Sequence, residues 1–433
     1  MAEMLKSALN PGVAKREFFA WAMYDFANSS YTTVVITALF NGFFVATIAG
    51  GASWATLAWT SALGLSYALI MLTAPALGAY ADQRAAKKKL LLISTIGCIL
   101  GTASLALTGP DTVALAVLLI VISNFFYGTG ENIAAAFLPE IARSEALGKV
   151  SGWSWAVGYL GGLIALGICI GYVTLAQSMG QIDADFVPVT MLITAGIFAL
   201  ASVPVFLFLK ERAVAQSSTG SRIIHDSFAR TWATVRDAGR FRDLAWLLIC
   251  IVFYQAGIQT VIALAAVYAQ AALHFTVAQT LVMLLVVNIT AAIGAFGFGF
   301  LQDRLGHRLS LALTLVLWLL TVLVSYLAQG PGLFWIAANL AGFGLGAAQS
   351  AGRALVGYLS PDTRRAEFFG LWGLAVKFAS ILGPMTYGLV SFITDGNHRA
   401  AMLFTGVFFI IGLGLLAFIN VERGRAAALQ THS

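Results

Sequence analysis

Four charged residues interrupt apolar stretches of the sequence, namely Asp25, Glu131, Arg353 and Lys377. A charged side chain at the depth of a bilayer costs at least about 2.5 kcal/mol on insertion scales, so such residues mark a solute or ion pathway. A carboxylate that alternates between water and a desolvated environment can take up and release a proton. Glu131, and after it Asp25, are therefore the candidate proton carriers.

The two cations suit fixed roles. Arg353 keeps its charge in any environment, so it can bind a substrate carboxylate or pair with Glu131 or Asp25 when no substrate is present. Lys377 can do the same, or it can extend to the membrane surface or form a structural pair. For Asp25, an ion pair with Arg16 is the structural alternative to a role in transport.

Further polar residues accompany these charges at helical spacing. Intervals of three and four residues place side chains on one face of a helix, so each set below forms a polar stripe. The stripes are Asp25, Asn28, Ser29, Thr32 and Thr33; Asn124, Tyr127, Gly128, Glu131 and Asn132; and Asn339, Gly342, Gly346, Gln349, Ser350 and Arg353; a fourth helix contributes Tyr254, Gln255 and Gln259. They favour one shared wet cavity bordered by four helices. Hydrogen bonding between helices without a ligand is the alternative, and it is equally good for Ser29, Thr32, Thr33 and Ser350.

The composition indicates the elements that carry these stripes. Of 433 residues, 59% are hydrophobic and 10% are charged, against roughly 25% charged in a soluble domain. The long continuous apolar runs predict an all-α membrane protein with about twelve spanning helices. The predicted spans are 18–48, 54–80, 89–108, 112–139, 149–176, 186–209, 244–270, 278–301, 309–328, 332–359, 367–394 and 399–420.

Charge distribution predicts the topology. The polar interval 211–243 separates two sets of six helices, 1–210 and 244–433, and we interpret it as a cytoplasmic central loop. All but three of the 25 Lys and Arg residues fall on one side, and only Arg399 falls in a loop on the other. The positive-inside rule then places both termini in the cytoplasm, and we expect a monomer in a bacterial inner membrane. Membrane topology also explains the net charge of +6, so we expect no nucleic-acid partner.

Two related loops support a division into halves. Gly78, Asp82 and Arg84 follow predicted helix 2, and Gly299, Asp303, Arg304 and Arg308 follow predicted helix 8 at the same relative place. Parallel repeats of this kind characterise major facilitator halves. The second loop resembles the cytoplasmic motif of that superfamily, and the first resembles a degenerate copy. The resemblance implies a conformational latch at Asp82 and Asp303 with their neighbouring arginines; the alternative is that these residues merely cap helix ends.

Three further segments resemble the vacuole-effluxer-like family, also called the unknown major facilitator family, which includes a fungal vacuolar amino-acid exporter. They are Tyr24 to Ser29 (Tyr-Asp-Phe-Ala-Asn-Ser), Leu138 to Ala142 with the glycines of predicted helix 5, and Gln349 to Pro384. The chain departs from the family at Gly352-Arg353, where Ser-Arg is usual, and at Glu131-Asn132. Both departures lie where a substrate could bind.

Carboxylates and cations together suit a small zwitterion. We therefore expect a secondary active transporter that moves an amino acid or peptide by alternating access, coupled to protons. A drug or sugar facilitator working in uptake or efflux is the first alternative, and a non-transporting receptor is the second. No HExxH, GxSxG or P-loop pattern occurs, so no enzyme activity is expected. Cys98, Cys169 and Cys250 stand apart in apolar runs, which indicates buried thiols without a metal or other cofactor.

Overall fold

The computed structural model describes residues 7–143, 146–212, 241–360 and 365–429, all of them helical or connecting segments. Within these ranges, twelve helices are long and apolar enough to cross a membrane. This confirms the all-α fold class and the number of predicted spans. These twelve are α1 (Lys15–Ile48), α2 (Ala55–Arg84), α3 (Lys87–Ser104), α4 (Val113–Ala135), α5 (Leu147–Ser178), α6 (Asp183–Phe208), α7 (Arg242–Leu273), α8 (Val277–Leu305), α9 (His307–Leu327), α10 (Pro331–Leu359), α11 (Arg365–Ile393) and α12 (His398–Ala417). A short helix, α13 (Val421–Leu429), follows them.

Helix α1 is not a uniform α-helix. It is α-helical over Lys15–Tyr31, but Thr32–Ala38 and Phe44–Ile48 form π-helical turns. The first of these segments reads Thr-Thr-Val-Val-Ile-Thr-Ala. Six consecutive β-branched residues crowd the turn before them in an α-helix, which disfavours the regular form. π-helical turns occur frequently at functional sites, and this one directly follows the polar stripe of α1.

Helix α4 ends earlier than the predicted span 112–139. Its last residue is Ala135, and a separate turn covers Leu138–Ile141. Pro139 explains the break, because proline has no backbone N–H to donate to the Ala135 carbonyl four residues before it and its ring would crowd that carbonyl. An isolated bridge between Leu9 and Ala142 ties the N-terminal segment to this turn.

The chain divides into two compact units. The first contains residues up to 50 and from 65 onward through α6, and the second contains 51–64 and all helices from α7. The predicted boundaries at 210 and 243 remain a prediction. In the first unit α1 packs closely on α5, where Gly161 lies against the Phe26 backbone; in the second, Gly383 of α11 lies against the Ala256 carbonyl of α7. Small residues allow helices to approach this closely. Helices α1 and α5 in the first unit correspond to α7 and α11 in the second, and both pairs make this contact.

Candidate functional site

Asp25 of α1 is held by α5. Ser154, which is fully buried, donates a hydrogen bond from Oγ to Asp25 Oδ2 at 2.5 Å. One turn further along α1, Ser29 faces Gly158, where an added Cβ would lie 3.0 Å from the serine Oγ. Among the described residues, Asp25 makes no ion pair with Arg16. The carboxylate is therefore oriented by a hydroxyl, which can donate to its charged form.

Asn28 lies on the same helix and has a different environment. Its side chain is 6% exposed, and neither its amide oxygen nor its amide nitrogen has a hydrogen-bond partner among the described residues. Buried amide groups are normally paired, because leaving them unpaired costs about 1–3 kcal/mol. Asn28 therefore offers a donor and an acceptor to water or to a bound solute.

Glu131 is positioned by aromatic residues. The Tyr127 hydroxyl donates to Glu131 Oε1 at 3.2 Å, one helical turn away on α4. The Tyr127 ring stacks on Tyr31 with 4.9 Å between ring centroids, and the Tyr31 hydroxyl lies 2.9 Å from Ser123 Oγ. Glu131 is also close enough to Asp25 for their charges to repel. The first unit thus holds two carboxylates near one another, each receiving a hydroxyl bond.

The two remaining predicted residues of α4, Asn124 and Asn132, have different environments. Asn124 is fully buried and donates from Nδ2 to Ser66 Oγ at 2.5 Å, while its own Oδ1 has no partner among the described residues. Asn132 is exposed and makes no hydrogen bond to a described residue. Asn124 therefore links α4 to α2, whereas the Asn132 side chain is exposed.

A tyrosine packs on a glycine at matching places in the two units. In the first unit the Tyr24 hydroxyl of α1 lies against Gly130 of α4, and in the second the Tyr254 hydroxyl of α7 lies against Gly352 of α10. A Cβ at either glycine would overlap the hydroxyl. The Tyr254 hydroxyl thus occupies the space that a serine side chain at 352 would need.

The glycines also define equivalent positions. Glu131 directly follows Gly130, and Arg353 directly follows Gly352. The two units therefore carry opposite charges at corresponding places on α4 and α10. The side chains of Arg353 and of Gln349 lie outside the described residues, so this correspondence is one of backbone position.

Helix α7 presents buried polar groups of its own. Gln255 is 1% exposed, and its Oε1, like the Tyr254 hydroxyl, has no hydrogen-bond partner among the described residues. Gln259 is partly buried one turn along α7, and Lys377 is partly buried on α11. As at Asn28, unused buried donors and acceptors mark a place where water or solute can bind.

The predicted latch is described only in part. The side chains of Asp82 and Asp303 lie outside the described residues, and Arg84 and Arg304 are exposed. Arg308 donates from a terminal guanidinium nitrogen to the Ala417 carbonyl at 3.0 Å, at the C-terminal end of α12. A cation there interacts favourably with the helix dipole. This contact agrees with the helix-end role of the motif, and the latch stays a prediction.

Two ion pairs at the helix ends were not predicted from the sequence. Arg212, after α6, places one guanidinium nitrogen 2.8 and 3.0 Å from the two carboxylate oxygens of Glu17 at the start of α1. Arg423, in α13 after α12, donates to both oxygens of Asp243 at the start of α7, at 2.7 and 2.8 Å. A pattern in the sequence could have predicted both pairs. In each half, an acid lies at the start of the first helix and an arginine follows the last helix.

The pair in the first unit extends into a network. Glu140, in the turn after α4, accepts from Lys87 Nζ at 3.0 Å and from the Arg212 backbone N–H at 2.8 Å. Glu211 accepts from the backbone N–H groups of Lys87 and Lys88 at 2.7 and 3.2 Å. These amides belong to the first turn of α3 and have no partner within the helix, so Glu211 caps α3.

The comparison with known families decides the class of protein. A sequence profile described as "Vacuole effluxer Atg22 like" matches residues 45–429, which is most of the chain. The chain belongs to this family of MFS-type transporters. The Atg22-like assignment confirms the suspected family and a membrane transporter rather than an enzyme. The matched range includes the α4, α5, α10 and α11 segments, whereas Tyr24 to Ser29 precede it.

Relatives of the Atg22-like chain occur in bacteria and fungi. The uncharacterized MFS-type transporter YxiO of Bacillus subtilis is 28% identical over 424 residues, covering 95% of this chain and 96% of its own length. Autophagy-related protein 22 of Eremothecium gossypii is 24% identical and covers 86% of this chain and 78% of its own length. The bacterial relative therefore matches nearly end to end.

Solved structures show that the Atg22-like chain has the major facilitator fold. A bacterial homolog to the human lysosomal transporter Spinster aligns with a TM-score of 0.71 and 14% identity, covering 96% of this chain and 99% of that one. The xylose transporter XylE from E. coli aligns with a TM-score of 0.63 and 16% identity, covering 93% and 95%. At these identities the likeness establishes the fold alone.

Proposed function

We propose that the chain is a secondary active transporter that moves a small zwitterionic solute, an amino acid or short peptide, by alternating access and with proton coupling. The observation that carries the proposal is the correspondence of the two units, which puts Glu131 and Arg353 at equivalent positions with opposite charge. A zwitterion has one cationic and one anionic group. A carboxylate at one of these positions and a guanidinium at its equivalent match the two groups of such a solute in charge.

We assign proton coupling to the two carboxylates of the first unit, Asp25 and Glu131. Asp25 and Glu131 repel one another when both are ionised, so protonation of one relieves the repulsion. Ser154 and Tyr127 hold the two carboxylates in place, and their hydroxyls can donate to the charged forms. Protonation can drive transport when it is linked to one conformation of the transporter.

Uptake into proteoliposomes tests this proposal. The purified chain is reconstituted, a pH gradient is imposed, and uptake of radiolabelled amino acids, dipeptides and sugars is compared. We expect gradient-driven uptake of an amino acid or dipeptide. Glu131→Gln should abolish acceleration by the gradient while leaving exchange of solute across the membrane, and Arg353→Ala should raise KM for the zwitterion at least tenfold.

A matched control makes the result specific. Lys89→Gln removes one exposed charge and should leave the uptake kinetics unchanged. Uptake of a sugar but of no zwitterion would support the facilitator alternative instead. Gradient-driven uptake that survives both Glu131→Gln and Arg353→Ala would contradict the assigned residues.

A further inference from the structure

A cavity of about 620 Å³ opens at one end of the first unit, where α1, α3 and the residues after α6 meet. Its lining includes three cations: Arg16, Lys88 and Lys210. This is the end that the charge distribution predicts to be cytoplasmic. Neither Asp25 nor Glu131 lines the cavity, so it is distinct from the residues assigned to transport.

The cations that line this cavity have donors available for an anion. Within the described part of the chain, neither Arg16 nor Lys210 is paired with a carboxylate. Lys88 Nζ donates to the Leu209 carbonyl at 2.7 Å and keeps its other N–H donors. The acid in the lining, Glu211, is already bound to two backbone amides of α3. The cavity therefore offers several cationic donors to a ligand.

The rim of the cavity is apolar and exposed. Leu207 is 68% exposed and Phe208 is 43% exposed at the end of α6. The Arg16 guanidinium lies over the Phe208 ring, 6.0 Å from its centroid, so cationic and apolar surfaces adjoin. In a chain that spans a membrane, exposed apolar side chains at a helix end face the acyl chains of lipids.

We propose that this cavity binds the phosphate headgroup of an anionic phospholipid. Arg16, Lys88 and Lys210 contact the phosphate, and an acyl chain lies along Leu207 and Phe208. Basic pockets between helix ends at the cytoplasmic face are suited to anionic headgroups, because each cation there attracts the lipid and the membrane supplies it at high local concentration. A free phosphate would use the cations but not the apolar rim.

Native mass spectrometry of the purified full chain tests the proposal. Dioleoyl phosphatidylglycerol and dioleoyl phosphatidylcholine are titrated separately in the same detergent, and the fraction of lipid-bound protein is measured. We expect phosphatidylglycerol to bind more tightly. Arg16→Gln with Lys210→Gln should weaken its binding about 25-fold, since each cation near a headgroup contributes about fivefold. Arg16→Lys with Lys210→Arg should retain it.

The control removes two exposed cations that do not line the cavity, Lys89→Gln with Arg242→Gln. Its binding of phosphatidylglycerol should match the unmodified chain. Equal binding of the two lipids, or equal weakening in the control and the cavity variant, would overturn the proposal. Displacement of the lipid by millimolar inorganic phosphate would overturn it too, because the site would then recognise phosphate without the acyl chain.

Discussion

Each of the two units has an acid–arginine pair at its helix ends, but the two pairs have different surroundings. Each begins its first helix with a buried acid and holds that acid with an arginine that follows its last helix. Glu17 is 2% exposed and its partner Arg212 is 28% exposed, whereas Asp243 is 3% exposed and Arg423 is 53% exposed. Since both acids are equally buried, the difference lies in the arginines and in what surrounds them.

The surroundings decide how firmly each pair is held. Arg212 is joined through its backbone to Glu140, and Glu140 is joined to Lys87 at the start of α3. The pair in the first unit therefore joins α1 and α3 to the segments that follow α4 and α6 in one network. Asp243 instead accepts a backbone bond from Asn420 beside Arg423, so that pair closes locally between α7 and α13. A shielded network should resist salt and heat better than an exposed local pair.

The largest expected effect follows from Arg212→Ala. This change leaves the Glu17 carboxylate buried without its cation but keeps the backbone bond from residue 212 to Glu140. Removal of one partner of a buried pair costs about 3 kcal/mol, so the melting temperature of the purified protein should fall by several degrees. Thermal unfolding in detergent measures it. Arg212→Lys, which keeps the charge, should recover most of the loss.

The two tyrosine–glycine contacts predict the next effect. Gly130→Ala and Gly352→Ala should each lower stability by about 1–3 kcal/mol, because the new methyl group overlaps a buried hydroxyl. The overlap lies with the hydroxyl alone in both units: the ring carbon that bears it would be 3.5 Å from the new Cβ, an ordinary contact. Tyr24→Phe and Tyr254→Phe should therefore rescue the respective alanine variants.

These double variants sharpen the comparison between units. Rescue in both, followed by thermal unfolding and by uptake in proteoliposomes, would support equivalent positions for Glu131 and Arg353. Rescue in only one unit would break the correspondence on which the proposed function rests.

Arg423→Ala should have a smaller effect than Arg212→Ala. The arginine side chain is more than half exposed, so water and salt already weaken its attraction to Asp243. The melting temperature should fall by less than it does for Arg212→Ala, and the difference from the unmodified chain should shrink in 0.5 M salt. An equal loss for the two arginine variants, or a loss that does not depend on salt, would contradict the assigned difference between the units.

The fold was largely predictable from sequence because a bilayer imposes a simple rule, about twenty apolar residues per helix. The twelve spans follow from it, and the departures from regular α-helix occur where local chemistry intervened, at Pro139 and at the β-branched run beginning with Thr32. The site was less predictable. A polar stripe specifies a face of a helix but not the neighbour it meets, so the sequence left open whether Ser29 lines a cavity or contacts another helix, and the structure places it against Gly158 of α5. Glu17 and Asp243 were missed because acids at helix ends also occur as ordinary first-turn residues.

The smallest effect separates the two tyrosines themselves. The Tyr24 hydroxyl lies 3.1 Å from Thr95 Oγ1, while the Tyr254 hydroxyl has no hydrogen-bond partner among the described residues. Tyr24→Phe should therefore cost about 1 kcal/mol, and Tyr254→Phe should leave stability unchanged or raise it slightly.

If the Tyr254 hydroxyl binds the solute, its removal must change the transport kinetics and leave the melting temperature unchanged. Tyr254→Phe should then raise KM in the proteoliposome assay at an unchanged melting temperature, whereas Tyr24→Phe should lower the melting temperature without raising KM. A melting temperature that falls equally in both variants would mean that the Tyr254 hydroxyl has a structural partner. The two units would then be alike at the one contact where their hydrogen bonds now differ.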